Sequence, residues 1–217
     1  MIDPVSRETI DRPDPGDLWP PVLELDAYAE ILAHAGVDRG LIGPNEVPRL
    51  WQRHLLNCAA VALEPGLVGS DATVIDVGSG AGLPGLVWAL VRPDLSITLL
   101  EPLLRRVNFL TETIAELGLG ARVKVVRGRA ESEPVGLRAQ IVVARAVAPL
   151  ARLAGWTLPL TEVGGKVLAI KGQDVAAEVA AGADQVRKFG GGPAQVSRIE
   201  RPGLELPTTV LAIPRLK

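Results

Sequence analysis

The chain has 217 residues, 47% of them hydrophobic, and a mean hydropathy of +0.25, enough for one large domain or for one domain with a small appendage. Cys58 is the single cysteine and there are two histidines far apart, which excludes an internal disulfide, leaves no metal-ligand spacing and fits a reducing cytoplasm. No apolar run approaches the ~20 residues of a membrane helix, Met1-Ile2-Asp3-Pro4 does not open a signal peptide, and a net charge of −2 argues against a generic nucleic-acid binder.

Residues 1–20 are rich in Asp and Pro and read as a poorly ordered acidic arm. Residues 21–70 read as a helical extension. Val22 to Ala35 has helical apolar spacing with Gly36 at the position of a C′ glycine, and a second helix is expected from about Pro48 to Leu63, with Pro48 near its first position. The charge shifts here. Residues 1–70 hold 5 Lys/Arg against 11 Asp/Glu, a balance of −6, and residues 71–217 hold 18 against 14, a balance of +4. A basic half permits RNA binding through one face, and no more than that.

From residue 71 onward strands and helices alternate, the pattern of a mostly parallel sheet with helices on both faces. Strands are expected at Val74–Val77, Ile97–Leu100, Val123–Val126, Gln140–Ala144 and Gly165–Ile170. Helices are expected to about Val91, from Leu103 to Leu117, from Leu150 to Leu158 and near Asp174–Ala181. Two late strands, near Val196–Ile199 and Thr208–Ile213, flank Pro202-Gly203 and would close the sheet in antiparallel fashion, making seven strands.

The first strand runs into Asp76-Val77-Gly78-Ser79-Gly80-Ala81-Gly82-Leu83-Pro84-Gly85, then a helix-forming segment. Strand, glycine turn and helix N-terminus together make a nucleotide-type site, because glycines admit a ligand close to the backbone and the helix end presents unpaired N–H groups. Gly80 to Gly85 matches the dinucleotide fingerprint literally, but Gly78-Ser79 intervenes between strand and fingerprint, and Asp76 has no place in it. Acid-x-Gly-x-Gly-x-Gly instead resembles the first motif of S-adenosylmethionine (SAM) methyltransferases, with Asp76, Gly78, Gly80, Gly82 and Leu83 around the cofactor. Glu101 lies 19 positions beyond Gly82, where an acid can accept both ribose hydroxyls. Ala130 and Glu131 occupy the turn after the third strand, the place of an adenine contact in such enzymes.

Arg145 follows the fourth strand, at the catalytic edge of such a sheet. The Asn/Asp-Pro-Pro-aromatic sequence of exocyclic-amine methyltransferases is absent there, and Cys58 is misplaced for a cytosine-5 nucleophile. What remains is an acceptor that is already nucleophilic, such as guanine N(7), whose lone pair needs alignment and desolvation but no general base. Several small-molecule methyltransferases look the same, so both acceptors stay open at this point. Lys171, at the end of the fifth strand, can meet a phosphate or a substrate carboxylate. Arg105-Arg106 and the series Arg122, Lys124, Arg127 and Arg129 suit a phosphate-binding face or a solvated one. His54 suits an interface.

In order along the chain, Arg53-His54-Leu55-Leu56, Asp76 to Gly85, Arg105-Arg106-Val107-Asn108-Phe109-Leu110, Arg129-Ala130-Glu131, Arg145-Ala146 and Lys171-Gly172 resemble the bacterial ribosomal RNA small-subunit methyltransferase G family over about residues 20–215. The resemblance implies a Rossmann-like class I methyltransferase that uses SAM to methylate guanine N(7) in 16S rRNA near the decoding region, with rRNA or the small ribosomal subunit as partner and no metal. It places cofactor contacts on Gly78, Leu83, Ala130, Glu131 and Arg145, and the ribose acid on Glu101. Arg53, His54, Arg105, Arg106 and Lys171 become candidate RNA contacts, and a monomer is expected. One departure is visible: Asn57-Cys58 stands where Asp-Ser is expected, which argues against acid–base work by that helix.

Overall fold

The strands expected after residue 70 form one sheet in the order β3-β2-β1-β4-β5-β7-β6. They are β1 (Thr73–Val77), β2 (Ser96–Glu101), β3 (Val123–Arg127), β4 (Ala139–Arg145), β5 (Thr161–Lys171), β6 (Gln195–Ile199) and β7 (Thr208–Pro214). The computed structural model describes residues 10, 12–13, 25–132, 136–145, 147–172 and 175–217. Strands β1 to β5 pair in parallel, while β7 pairs antiparallel to both β5 and β6. The strand order reverses between β1 and β4, and the crevice beyond the carboxyl ends of those two strands is where open α/β sheets bind ligands.

Period-two alternation sorts the strand side chains into two cores. Val74, Ile97, Leu99, Ile141, Val143 and Leu168 face one way, and Ile75, Val77, Leu100, Val142, Val167 and Leu211 face the other. Helices α5 (Leu150–Thr157) and α6 (Ala176–Lys188) cover the second set with Leu150, Leu153 and Val186. The first set is covered by α3 (Gly85–Val91), by α4 (Leu104–Glu116) and by the described part of the N-terminal extension, from Leu25 on. Leu25, Tyr28, Leu32, Leu50, Trp51, Leu55 and Leu56 are all buried in that same cluster. The extension therefore shares its core with the sheet.

The extension differs in detail from the sequence expectation. Its first helix, α1 (Asp26–Ile31), runs on through a π turn at Leu32–Gly36, so Gly36 is buried inside the helix. Gly40, with φ of 65°, makes the left-handed turn instead. The second segment begins at Pro44, not Pro48: a 3₁₀ stretch (Pro44–Arg49) leads into a π turn (Leu50–Leu56) and then α2 (Asn57–Ala62). Pro44, fixed in φ and lacking an N–H, suits the first helical position and takes it. The expected helix near Asp174 starts at Ala176 and reaches Lys188, and Asp174 itself lies outside the described residues. Of the N-terminal arm, Ile10, Arg12 and Pro13 are described: Ile10 packs on the first core, and Arg12 bonds to Asp26 at 2.5 and 2.6 Å and sits 5.5 Å from the Trp51 ring. Among the described residues no helix is long and apolar enough to cross a membrane.

The approach of α3 to the sheet sets the geometry of the glycine loop. A Cβ on Gly85 would lie 2.3 Å from Leu99 Cδ2 and 2.7 Å from Asp76 Oδ2, so only glycine fits there. Gly85→Ala is expected to cost about 1–3 kcal/mol, read as a lower urea midpoint. An unchanged midpoint would mean that α3 can back away from β2 without loss.

Candidate active site at the glycine loop and the adjoining basic cleft

The loop after β1 turns through three left-handed glycines, Gly78, Gly80 and Gly82, with φ of 72°, 60° and 97°. Such a turn aims its backbone N–H groups away from regular partners, and two acids meet them. Glu101 Oε2 accepts from Gly80 N–H at 2.9 Å, and its Oε1 accepts from Leu103 N–H at 3.0 Å. Asp76 Oδ2 accepts from Gly85 N–H at 3.0 Å. Gly78 N–H donates to Leu100 O at 2.8 Å. From the opposite side the Tyr28 hydroxyl donates to Ala81 O at 2.6 Å, and Trp88 Nε1 donates to Cys58 O at 3.0 Å, tying the extension to the loop and to α3.

The loop glycines divide by what their missing side chains leave free. A Cβ on Gly82 would collide with Leu86 and, at 2.8 Å, with the Tyr28 hydroxyl, so this glycine serves packing. A Cβ on Gly78 would touch Val147 at 3.2 Å, across the crevice between β1 and β4. Gly80 faces open space, its nearest contact being Gly78 O at 3.8 Å. Asp76 is fully buried, and its Oδ1 has no hydrogen-bond partner among the described residues. Burial pushes its carboxyl up to about 7, against the pull of the Gly85 N–H. Ala130 and Glu131 lie together in a single turn (Ala130–Ser132) just past β3, Ala130 buried and Glu131 exposed.

Arg145 ends β4 and joins this loop to a second feature. Its Nη2 donates to Arg53 O at 3.0 Å and to His54 Nδ1 at 2.7 Å, and His54 Nε2 bonds Glu46 Oε2 at 2.9 Å. Burial and the Arg145 charge hold the imidazole down at about 4, so it is neutral, with Nδ1 accepting and Nε2–H donating. The π turn permits this by bringing the Arg53 carbonyl and the His54 ring to the same guanidinium nitrogen. Beside Arg145 opens a cleft of about 700 Å3, lined by Arg49, Gln52, Arg53 and Asn57, by Lys171, and by Glu205 and Leu206 of the β6–β7 connection. Arg49 and Arg53 share Glu46 Oε1 at 3.3 and 3.1 Å, exposed pairs that contribute little and can exchange for another anion.

A profile of the "rRNA small subunit methyltransferase G" family matches residues 22–205. The chain belongs to this family. The ribosomal RNA small subunit methyltransferase G of Salinispora arenicola is 56% identical over 195 residues, covering 87% of this chain and 79% of that protein. The relative from Renibacterium salmoninarum is 54% identical over 186 residues, covering 86% and 85%. Among solved structures, the mitomycin 7-O-methyltransferase MmcR superposes with a TM-score of 0.60 at 17% identity, covering 86% of this chain and 60% of that one. The O-methyltransferase NcsB1 from neocarzinostatin biosynthesis, solved with SAM, superposes at 0.59 and 20% identity, covering 89% and 60%. At those identities the likeness is one of fold, the class I SAM-dependent methyltransferase fold.

As a methyltransferase of the G family the protein uses SAM, and the residues present fit it. The open face of Gly80 gives a close backbone approach, and the unpartnered Asp76 Oδ1 is an acceptor waiting for a donor. Among the described residues no group of three His, Cys, Asp or Glu side chains stands together as a metal site. Cys58 is buried, its thiol pushed up to about 11 by burial, and it lies behind the loop, beneath Trp88.

The residues singled out by sequence fall into three places. Asp76, Gly78, Gly80, Gly82, Leu83 and Glu101 form the loop and its anchors, but Glu101 is 1% exposed and already holds two backbone N–H groups, so it braces the loop. Arg53, His54, Arg145 and Lys171 gather at the cleft, yet the Lys171 ammonium is engaged by Glu178 Oε1 at 2.6 Å and Ala148 O at 2.7 Å. Arg105 and Arg106 lie apart on α4, with Arg106 3.7 Å from Glu101. Ala146 lies outside the described residues. Sequence reasoning missed Tyr28, Glu46, Gln52 and Glu205. Tyr28 carried a faint signal as the single tyrosine. Gln52 and Glu205 carried none, since the bond between them spans 153 positions.

Two predictions follow from the buried groups. Asp76 binds its proton more tightly folded than unfolded, so its contribution to stability falls as pH rises from about 4 through 7. Asp76→Asn should therefore match or exceed the wild-type melting temperature at pH 8 while binding SAM about tenfold more weakly; calorimetry showing wild-type affinity would remove Oδ1 from the cofactor site. His54 has the opposite sign: its lowered value means the unfolded chain takes up the proton first, and stability drops as pH falls from about 6.5 toward 4. Urea unfolding of His54→Ala should show a shallower loss over that window than wild type, and equal slopes would deny the buried neutral imidazole.

Proposed function

We propose that the protein transfers the methyl group of SAM to N(7) of a guanine in 16S rRNA near the decoding region, acting as a monomer in the cytoplasm on rRNA or the small ribosomal subunit. The observation that carries this reading is Arg145, held by a neutral histidine where the glycine loop meets a basic cleft. The imidazole beside it has both nitrogens engaged and is no free base. Guanine N(7) asks for none, because its lone pair is already exposed and no proton has to leave. Bound at the loop, SAM supplies a methyl group on a positively charged sulfur, electrophilic enough for a ring nitrogen.

The chain's own task is therefore to bind, align and exclude water. Gly78, Gly80 and Leu83 frame the amino-acid end of the cofactor, and Asp76 Oδ1 accepts from it. Glu101 faces the ribose, and Ala130 and Glu131 the adenine. Arg145 keeps most of its five donors for substrate, since among the described residues one nitrogen does all its bonding. Arg49 and Arg53 meet RNA phosphates by trading Glu46 for them, and Arg105 and Arg106 extend the basic surface beyond the loop. The helical extension, residues 21–70, and the methyltransferase domain, residues 71–217, act as one unit, because Tyr28 and His54 of the first complete the site of the second.

The test is transfer of labelled methyl from SAM to small subunits taken from cells lacking this protein, followed by chain cleavage at 7-methylguanosine. Label at one guanine is expected, and SAM binding without label in RNA would overturn the substrate assignment. Arg145→Ala should lower kcat/KM about a hundredfold, the size of a lost charge-assisted contact, with the melting temperature nearly unchanged. A wild-type rate in the folded variant would remove Arg145 from the site.

A further inference from the structure

Methylation at N(7) constrains how the guanine can be recognised. The usual arginine fork on O6 and N(7) would cover the nucleophile itself. The base must then be identified through its Watson–Crick edge, which in guanine displays two donors, N1–H and the N2 amino group. Reading that edge takes an acceptor. The walls of the cleft supply mostly donors, from Arg49, Arg53, Arg145 and Lys171. Gln52 is spent, its Nε2 donating to Gly203 O at 2.8 Å and its Oε1 accepting from Glu205 N–H at 3.2 Å.

Asn57 donates its Nδ2 to Thr208 Oγ1 at 2.9 Å and offers only a single amide oxygen, whereas Glu205 is the carboxylate of the lining and can take two donors. Glu205 lines the cleft beside Arg49, Arg53 and Arg145, and its carboxylate makes no hydrogen bond or ion pair among the described residues. We infer that Glu205 is the residue that selects guanine, its two oxygens accepting from N1–H and N2–H of the acceptor base while N(7) stays free on the opposite edge. This rests on the guanine-N(7) reading above. A carboxylate suits the task because it can take both donors side by side, and because adenine would set an acceptor, N1, against it. Its position is set by the same short segment that sets Arg145. Gln52 pins the backbone on both sides of Leu204, while Arg53 O and His54 Nδ1, next along the turn, hold the guanidinium. Leu206, 62% exposed on the rim, offers an apolar surface for the face of the base.

The experiment crosses a protein change with a substrate change. Small subunits are reconstituted with rRNA carrying either guanosine or inosine at the methylated position; inosine keeps N(7), O6 and N1–H but lacks the N2 amino group. Wild type should prefer guanosine over inosine in kcat/KM by about tenfold or more, the usual effect of one hydrogen bond to a charged group. Glu205→Ala, which keeps the backbone bond to Gln52 and so the loop, should lose about tenfold to a hundredfold on guanosine and bring the guanosine-to-inosine ratio close to one. Glu205→Gln, with one acceptor oxygen, should fall between. A Glu205→Ala enzyme that keeps the wild-type ratio, or the wild-type rate on guanosine, would overturn this inference alone and make Glu205 a solvated surface acid. A wild type that labels no N(7) in the guanosine subunits would overturn the substrate reading and the inference with it.

Discussion

The site depends on two buried carboxylates that accept backbone N–H groups from one glycine loop. Three left-handed glycines turn the chain sharply enough that Gly80 and Gly85 lose regular partners. Left unpaired at that depth, each N–H would cost on the order of 1–3 kcal/mol. Glu101 at the end of β2 and Asp76 at the end of β1 satisfy them, and the register of Asp76 with Leu99 keeps the two strand ends level. The same pair leaves Asp76 Oδ1 unpartnered, an open valence in a loop that is otherwise satisfied. The structural bond and the proposed cofactor contact thus fall to the two oxygens of one carboxylate.

The N-terminal extension is built into this arrangement from the other side. Tyr28 reaches the loop carbonyl of Ala81 because Gly82 has no side chain to obstruct it. The π turn at Leu50–Leu56 then performs three tasks with neighbouring residues: Gln52 pins the β6–β7 connection, and Arg53 and His54 fix Arg145. An α-helical turn would spread these groups differently around the axis, and the local widening is what lets them converge. The cleft walls come from four separated parts of the chain, and two of them, Arg145 and the β6–β7 connection, are held by one short reference segment.

Chemistry of low demand suits this design. Transfer to a lone pair that is already exposed needs no proton moved, so the protein invests in placement and not in acid–base groups. The one imidazole near the site is kept neutral by burial and by an adjacent guanidinium, with Nδ1 accepting from that guanidinium and Nε2–H donating to Glu46. Positive charge in the cleft favours a polyanionic partner, although the chain as a whole carries −2.

The sequence by itself determined the sheet, the glycine loop, the family and the cofactor class, because each rests on local patterning: β-branched runs, glycines at fixed spacing, and an acid at the end of each of two strands. It located Arg145 through its place just after a strand, which topology carries to the catalytic edge. Element boundaries in the extension went astray, since the distinction between α and π turns and the choice of Pro44 over Pro48 depend on packing against the sheet. Only the tertiary structure decided which glycines serve packing and which leave open space, because that depends on what a Cβ would strike, Leu86 and Tyr28 for Gly82, Leu99 and Asp76 for Gly85, and almost nothing for Gly80. It likewise drew Lys171 into a pair with Glu178 and left the Glu205 carboxylate without a partner among the described residues. Hydrogen bonds between residues separated by 91 to 153 positions made those choices, and no local spacing encodes them.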